Sequence, residues 1–335
     1  MTAGCGGNWA AARRERAFAQ ETGALRSCPL DKRAAADKTT SMTPAFDRFV
    51  APARRRPQLW RFLLGLLLAV VIYAAWVAGV IAVAYFLLAP DADPLLWTES
   101  LAAAETPRGT LLLLLTFVGM ALGPMAAARW LHGRSAGSLF GPRVRTLRDF
   151  VVAAGVVFVV LGLSVGLWSL QYDAVPNLPA STWAMILPLS LLGLLVQTGA
   201  EEVLFRGYMQ GQLAARFRSP LVWLVLPSLL FGLVHYDPVS AGGNAWLIVG
   251  AAATFGLIAA DLTARTGSIG AAWGFHFANN TIAITILATD GTITGLSRWL
   301  TPYGISDLEM PAVVVAADLA MLLLAWLLVR RAVAR

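Results

Sequence analysis

The chain has 335 residues, 58% of them hydrophobic and only 13% charged, with a mean hydropathy of +0.66. That balance lies outside the band of water-soluble globular domains and argues against a soluble enzyme. The formal charge of +7 does not point to nucleic acid, because the basic residues sit at the ends of apolar blocks rather than in one patch.

Residues 1–61 are rich in Ala, Arg and Asp and lack apolar periodicity. They are expected to form a disordered, basic, cytoplasmic tail. Arg13 and Arg14 are followed by no apolar run, so an export signal is not expected there. Met42 is a second candidate start, in which case residues 1–41 are not translated; Arg54, Arg55 and Arg56 then lead into the membrane. Both cysteines, Cys5 and Cys28, lie in this stretch, which leaves the apolar blocks without a disulfide framework or a thiolate metal site.

Residues 62–335 read as one membrane domain. Apolar blocks fall at 62–89, 109–128, 150–170, 182–205, 221–236, 245–261, 268–289 and 311–329, most of them near the ~20 residues that cross a bilayer. The expected fold is an all-α polytopic membrane protein of about eight transmembrane helices. The fifth and sixth blocks are short, as suits helices buried among others or lining a polar cavity. With the N-terminus inside, inner segments hold 23 of the 26 basic residues, and the outer loops hold only Arg108 and Arg298. The excess of inner Lys and Arg puts both termini in the cytoplasm. No loop is long enough for a soluble domain, so chemistry must lie within the helices or at their ends.

Ionisable side chains inside spans are costly and are functional candidates by default. Here they cluster between residues 197 and 280: Gln197, Glu201, Glu202, Arg206, His235, His276, Asn279 and Asn280. Adjacent on a helix, Glu201 and Glu202 point about 100° apart. One is free for chemistry while the other, four residues before Arg206, forms an intrahelical ion pair. The plainer alternative is a solvated helix end, since Tyr208, Gln210, Gln212, Arg216 and Arg218 follow. A lone His235 at a helix end is ordinarily interfacial. His276 and Asn280 share a helical face and suit either an oxyanion site or a hydrogen bond between helices. If the 216–220 turn projects from the membrane, Glu201 and His235 stand level, each about 22 Å from it. His132, beside Arg129 and Arg134, is expected to be solvated. Asp318, in the last span, is expected to pair inside the bundle.

Glu201-Glu202-Val-Leu-Phe-Arg206 resembles the EExxxR motif, Phe231-Gly-Leu-Val-His235 the FxxxH motif and His276-Phe-Ala-Asn-Asn280 the HxxxN motif of CPBP-type intramembrane proteases. That family includes the type II CAAX prenyl endopeptidases and bacterial Abi proteins. The resemblance covers a core of roughly residues 180–290, with the motifs in order on three helices. It implies hydrolysis of a peptide bond inside the membrane: Glu201 and His235 activate a water, His276 and Asn280 stabilise the oxyanion, and Glu202 with Arg206 supports them. A metal-free reaction is the expected reading, so no cofactor is called for. Zinc held by Glu201, His235 and His276 is the rival, although the HExxH spacing is missing.

The partners implied are membrane lipids and a peptide or membrane-protein substrate. Abundant Ala and Arg in place of Lys suggests a GC-rich bacterial genome and thus a bacterial inner membrane, where prenylated substrates are not expected. A non-catalytic scaffold or bacteriocin self-immunity protein of the same fold is the alternative. A transporter is disfavoured, because the polar cluster lies in one half of the chain only.

Overall fold

The computed structural model describes residues 42–307 and 312–334, and the expectations for residues 1–41 lie outside that range. The first element, α1 (Pro44–Val50), starts where Thr43 accepts a hydrogen bond from Phe46 N at 3.1 Å, with proline at the first helical position. A 3₁₀ turn follows over Ala51–Arg55. These residues were expected in a disordered tail, but Phe46, Phe49, Val50 and Ala53 are buried. Phe46 packs at a tilt against Trp223, ring centres 5.1 Å apart, and Thr43 Oγ1 donates to Ala264 O. The reason is amphipathicity on a scale of one or two turns, too short to register as a span or as a periodic helix.

Each of the eight apolar blocks is helical over most of its length. The chain runs through α2 (Leu59–Leu88), α3 (Pro94–Ala102), α4 (Pro107–Trp130), α5 (Arg143–Trp168), α6 (Ala180–Glu202), α7 (Gly211–Arg216), α8 (Leu226–Leu233), α9 (Pro238–Ala241), α10 (Ala245–Thr266), α11 (Gly270–Thr281) and α12 (Ala312–Ala332). Five helical stretches among the described residues are long and apolar enough to cross a membrane: Leu59–Leu88, Pro107–Trp130, Arg143–Trp168, Ala180–Arg216 and Pro238–Thr266. The protein is therefore an all-α, multi-pass membrane protein. The fifth block is short, as expected; the sixth is not, since the helix continues to Thr266.

Three π-helical segments interrupt the bundle: Val203–Gln210 joins α6 to α7, Leu221–Val225 leads into α8, and Ile282–Ile286 ends α11. Such segments are frequent at functional sites, and here one carries Arg206 and all lie beside the helices of the polar cluster. The seventh block was expected to stay helical to residue 289. Instead β2 (Leu287–Asp290) pairs parallel with β3 (Trp299–Gly304), which pairs antiparallel with β1 (Val175–Pro176). This small sheet satisfies backbone groups where the chain leaves the helices.

Close helix contacts rest on glycine pairs. A Cβ on Gly270 or Gly274 would stand 2.1 Å from Thr146 O or Phe150 O of α5, so α11 meets α5 backbone to backbone. Gly123 does the same for α4 against Ala69 of α2, and Gly119 makes room for the Trp76 side chain. Lipid tails give apolar side chains no reason to cluster, so close packing of small residues supplies the attraction between helices.

Candidate active site

The helix α6 enters the site with Gln197, Glu201 and Glu202, all buried, and the π segment after it carries Arg206, 2% exposed. Burying that guanidinium is tolerable because it is fully engaged. Its Nη1 pairs with Glu202 Oε1 at 3.1 Å, its Nη2 donates to Gly256 O at 3.3 Å, and its plane lies 4.6 Å from the Phe231 ring centre. The expected ion pair of Glu202 and Arg206 is present. A solvated helix end is not: Tyr208, Gln210 and Gln212 are buried too. Gln210 donates to Ala260 O, and Gln212 accepts from Arg134.

The antiparallel α11 faces α6. His276 Nδ1 stands 2.9 Å from Glu202 Oε1, and His276 Nε2 stands 3.5 Å from Glu201 Oε2. One turn further, Asn280 Nδ2 donates to Gln197 Oε1 at 3.1 Å, and Asn279 Nδ2 donates to Asn280 Oδ1 at 3.1 Å. Two rungs thus connect the helices, Glu201 with His276 and Gln197 with Asn280. The sequence offered Gln197 only as a polar residue in a span; its i, i+4 spacing to Glu201 was the available signal. His276 and Asn280 were expected to aim together at a shared space, and in the structure both are already engaged by α6.

His235 is half-buried just past the end of α8. A carbonyl only accepts, so Nδ1 donates to Phe231 O at 2.7 Å and the neutral ring has its lone pair on Nε2. Phe231 lies between the two histidines, its ring centre 4.8 Å from His235 and 6.0 Å from His276. His235 makes no ion pair or hydrogen bond with Glu201. Glu201 Oε2 and Glu202 Oε2 are buried and have no hydrogen-bond partner among the described residues.

Among the described residues no three His, Cys, Asp or Glu side chains are grouped to hold a metal, and His235 makes no hydrogen bond or ion pair with Glu201 or Glu202.

Two other expectations are corrected. His132 is 1% exposed: it lies 3.0 Å from Arg56 O through Nδ1 and 3.0 Å from Tyr208 Oη through Nε2, with Gln212 against the ring. Desolvation, helped by nearby Arg134, Arg61 and Arg56, holds its pKa below the usual histidine value, partly opposed by the Arg56 carbonyl. Arg134 is itself pushed down to about 10 by burial. Asp318 is exposed on α12 and makes no hydrogen bond or ion pair with a described residue.

The residues of all three motifs thus converge on the α6, α8 and α11 core, with Phe231 between His235 and His276. Residues 182–282 match the model of the Rce1-like family, described as type II CAAX prenyl endopeptidase Rce1-like. The matched region holds every residue of the three motifs and both rungs between α6 and α11. The uncharacterized protein YyaK of Bacillus subtilis (strain 168) is 30% identical over 117 residues, which cover 35% of this chain and 39% of that protein. No solved structure matches the chain.

Proposed function

We propose that the protein is an intramembrane endopeptidase of the CAAX-protease kind, with Glu201 as its general base. The observation that supports this most directly is the pair of carboxylates at the two nitrogens of His276, Glu202 tied to Arg206 and Glu201 without an arginine of its own. Glu202 is bound to Arg206 and so accepts from His276 Nδ1–H, which leaves His276 Nε2 and Glu201 facing each other. A water between Glu201 and the lone pair of His235 would meet two bases and lose a proton as it attacks a carbonyl carbon.

Stabilisation of the oxyanion falls to His276 and Asn280. His276 donates from Nε2 when doubly protonated, and Asn280 has a second amide hydrogen beyond the one given to Gln197. Donors held in a low-dielectric interior are worth more than the same donors in bulk water. The reaction uses a carboxylate and imidazoles and calls for no bound metal. The substrate is proposed to be a peptide or membrane protein reached within a bacterial inner membrane. A non-catalytic scaffold or immunity role explains the buried ion pair equally well, but gives no reason for a second buried carboxylate beside the one that pairs with Arg206.

The test is cleavage of a quenched peptide library, with and without a prenyl group, by detergent-purified protein. Cleavage by wild type, absent in Glu201→Ala and untouched by chelator, is the expected result. Loss with chelator would favour zinc. Equal cleavage by wild type and Glu201→Ala would remove the catalytic reading.

A further inference from the structure

Away from the site, two apolar cavities of about 560 Å³ each lie along α2, α4 and α6 and share Leu88, Leu112 and Leu115. They form one continuous groove. Its α6 wall is Leu189, Leu192, Gly193 and Val196, whereas Ser190, Leu194, Gln197 and Glu201 of the same helix are buried toward the core. Leu115, Leu189 and Leu192 are 45%, 55% and 57% exposed, so the groove opens outward and is distinct from the Glu201 face.

Arg108, on the first turn of α4, lines the same groove and is its only charged residue. Its side chain is exposed and makes no hydrogen bond or ion pair with any described residue. At the same end of the bundle Arg298 is already used, donating to Leu178 O and stacking on Trp299. From Arg108 to Val118 the groove follows ten residues of helix, about 15 Å at 1.5 Å per residue. That is one leaflet, half of the ~30 Å hydrocarbon core. A free guanidinium at the mouth of an apolar channel one leaflet deep matches a phosphate with an acyl chain below it.

We propose that this groove binds one phospholipid of the leaflet holding the Pro107 end of α4, its phosphate on Arg108 and an acyl chain along Leu112, Leu115, Leu192 and Val196. The site depends on the membrane location and not on catalysis. The lipid fills the space beside α6 and braces the helix that carries Gln197 and Glu201.

The test uses full-length protein in nanodiscs containing phosphatidylglycerol and diacylglycerol with the same acyl chains, and counts the lipids retained on release by native mass spectrometry. Wild type is expected to retain phosphatidylglycerol at least about five-fold over diacylglycerol, the equivalent of about 1 kcal/mol for one basic residue at the membrane surface. Arg108→Ala brings the two to parity, and Arg108→Lys restores part of the preference. Arg129→Ala, at the other end of the same helix, leaves it unchanged. Leu192→Trp lowers retention of both lipids. Parity in wild type, a preference that survives Arg108→Ala, an equal fall in Arg129→Ala, or a dimer in place of bound lipid would each overturn the proposal. Arg108→Ala removes no hydrogen bond or ion pair with a described residue, so it decides the matter even if Leu192→Trp does not fold.

Discussion

His276 Nδ1 and Arg206 Nη1 both bind the same oxygen of Glu202, at 2.9 and 3.1 Å. One carboxylate therefore fixes the arginine of the π segment and the tautomer of a histidine on another helix. Removing one partner leaves a buried charge uncompensated, which costs about 3–5 kcal/mol. Arg206→Met and Glu202→Leu should each lower unfolding stability by that order. The double variant should lose less than the sum of the two, as measured by denaturation in detergent.

Glu201 is the reverse case. Its buried Oε2 has no hydrogen-bond partner, so Glu201→Gln should leave stability nearly unchanged. Under the proposed reaction, turnover should fall by about 10²- to 10⁴-fold, the range for a lost general base. A large fall in stability with intact cleavage would make Glu201 structural.

Gln197 is expected to act as a positioning residue by holding Asn280. Gln197→Leu should reduce kcat with little change in KM. Together with Asn280→Leu it should show a coupling of about 0.5–3 kcal/mol, as residues in direct contact do. Fully additive effects would separate the two.

His132 gives a stability dependence on pH outside the spans. Its folded pKa is depressed by burial, so the unfolded chain takes up the proton first as pH falls below about 6.5. Stability from this group is full above that pH and is lost as pH falls through the folded pKa. Wild type should lose melting temperature between about pH 7 and pH 5, and His132→Gln should lose less over the same window.

The backbone contact between α11 and α5 predicts a steric failure. Gly274→Leu would drive a side chain into Phe150 O, 2.1 Å from its Cβ. Overpacking of about 1–3 kcal/mol or more is expected, seen as early aggregation on size-exclusion chromatography. Gly155→Leu, on the open face of α5, should elute as wild type.

Hydropathy by itself determined the membrane class and all eight helical blocks, because desolvation of apolar side chains is a local property that sums along the chain. Residue spacing identified Glu201, Glu202 and Arg206 as one helical turn, and predicted the Glu202–Arg206 pair, because i, i+4 neighbours meet whatever the rest of the fold does. Only the tertiary structure decided which helices face one another. It placed Gln197 on Asn280 and His276 between two glutamates, and left His235 apart from both. It buried His132, Tyr208 and Gln212, which read as solvated polar residues until distant segments supplied their partners. It also ordered residues 44–55, since Phe46 gains from burial only once Trp223 stands across from it. Polar burial and short amphipathic segments depend on groups far along the chain, and one-dimensional periodicity does not carry that information.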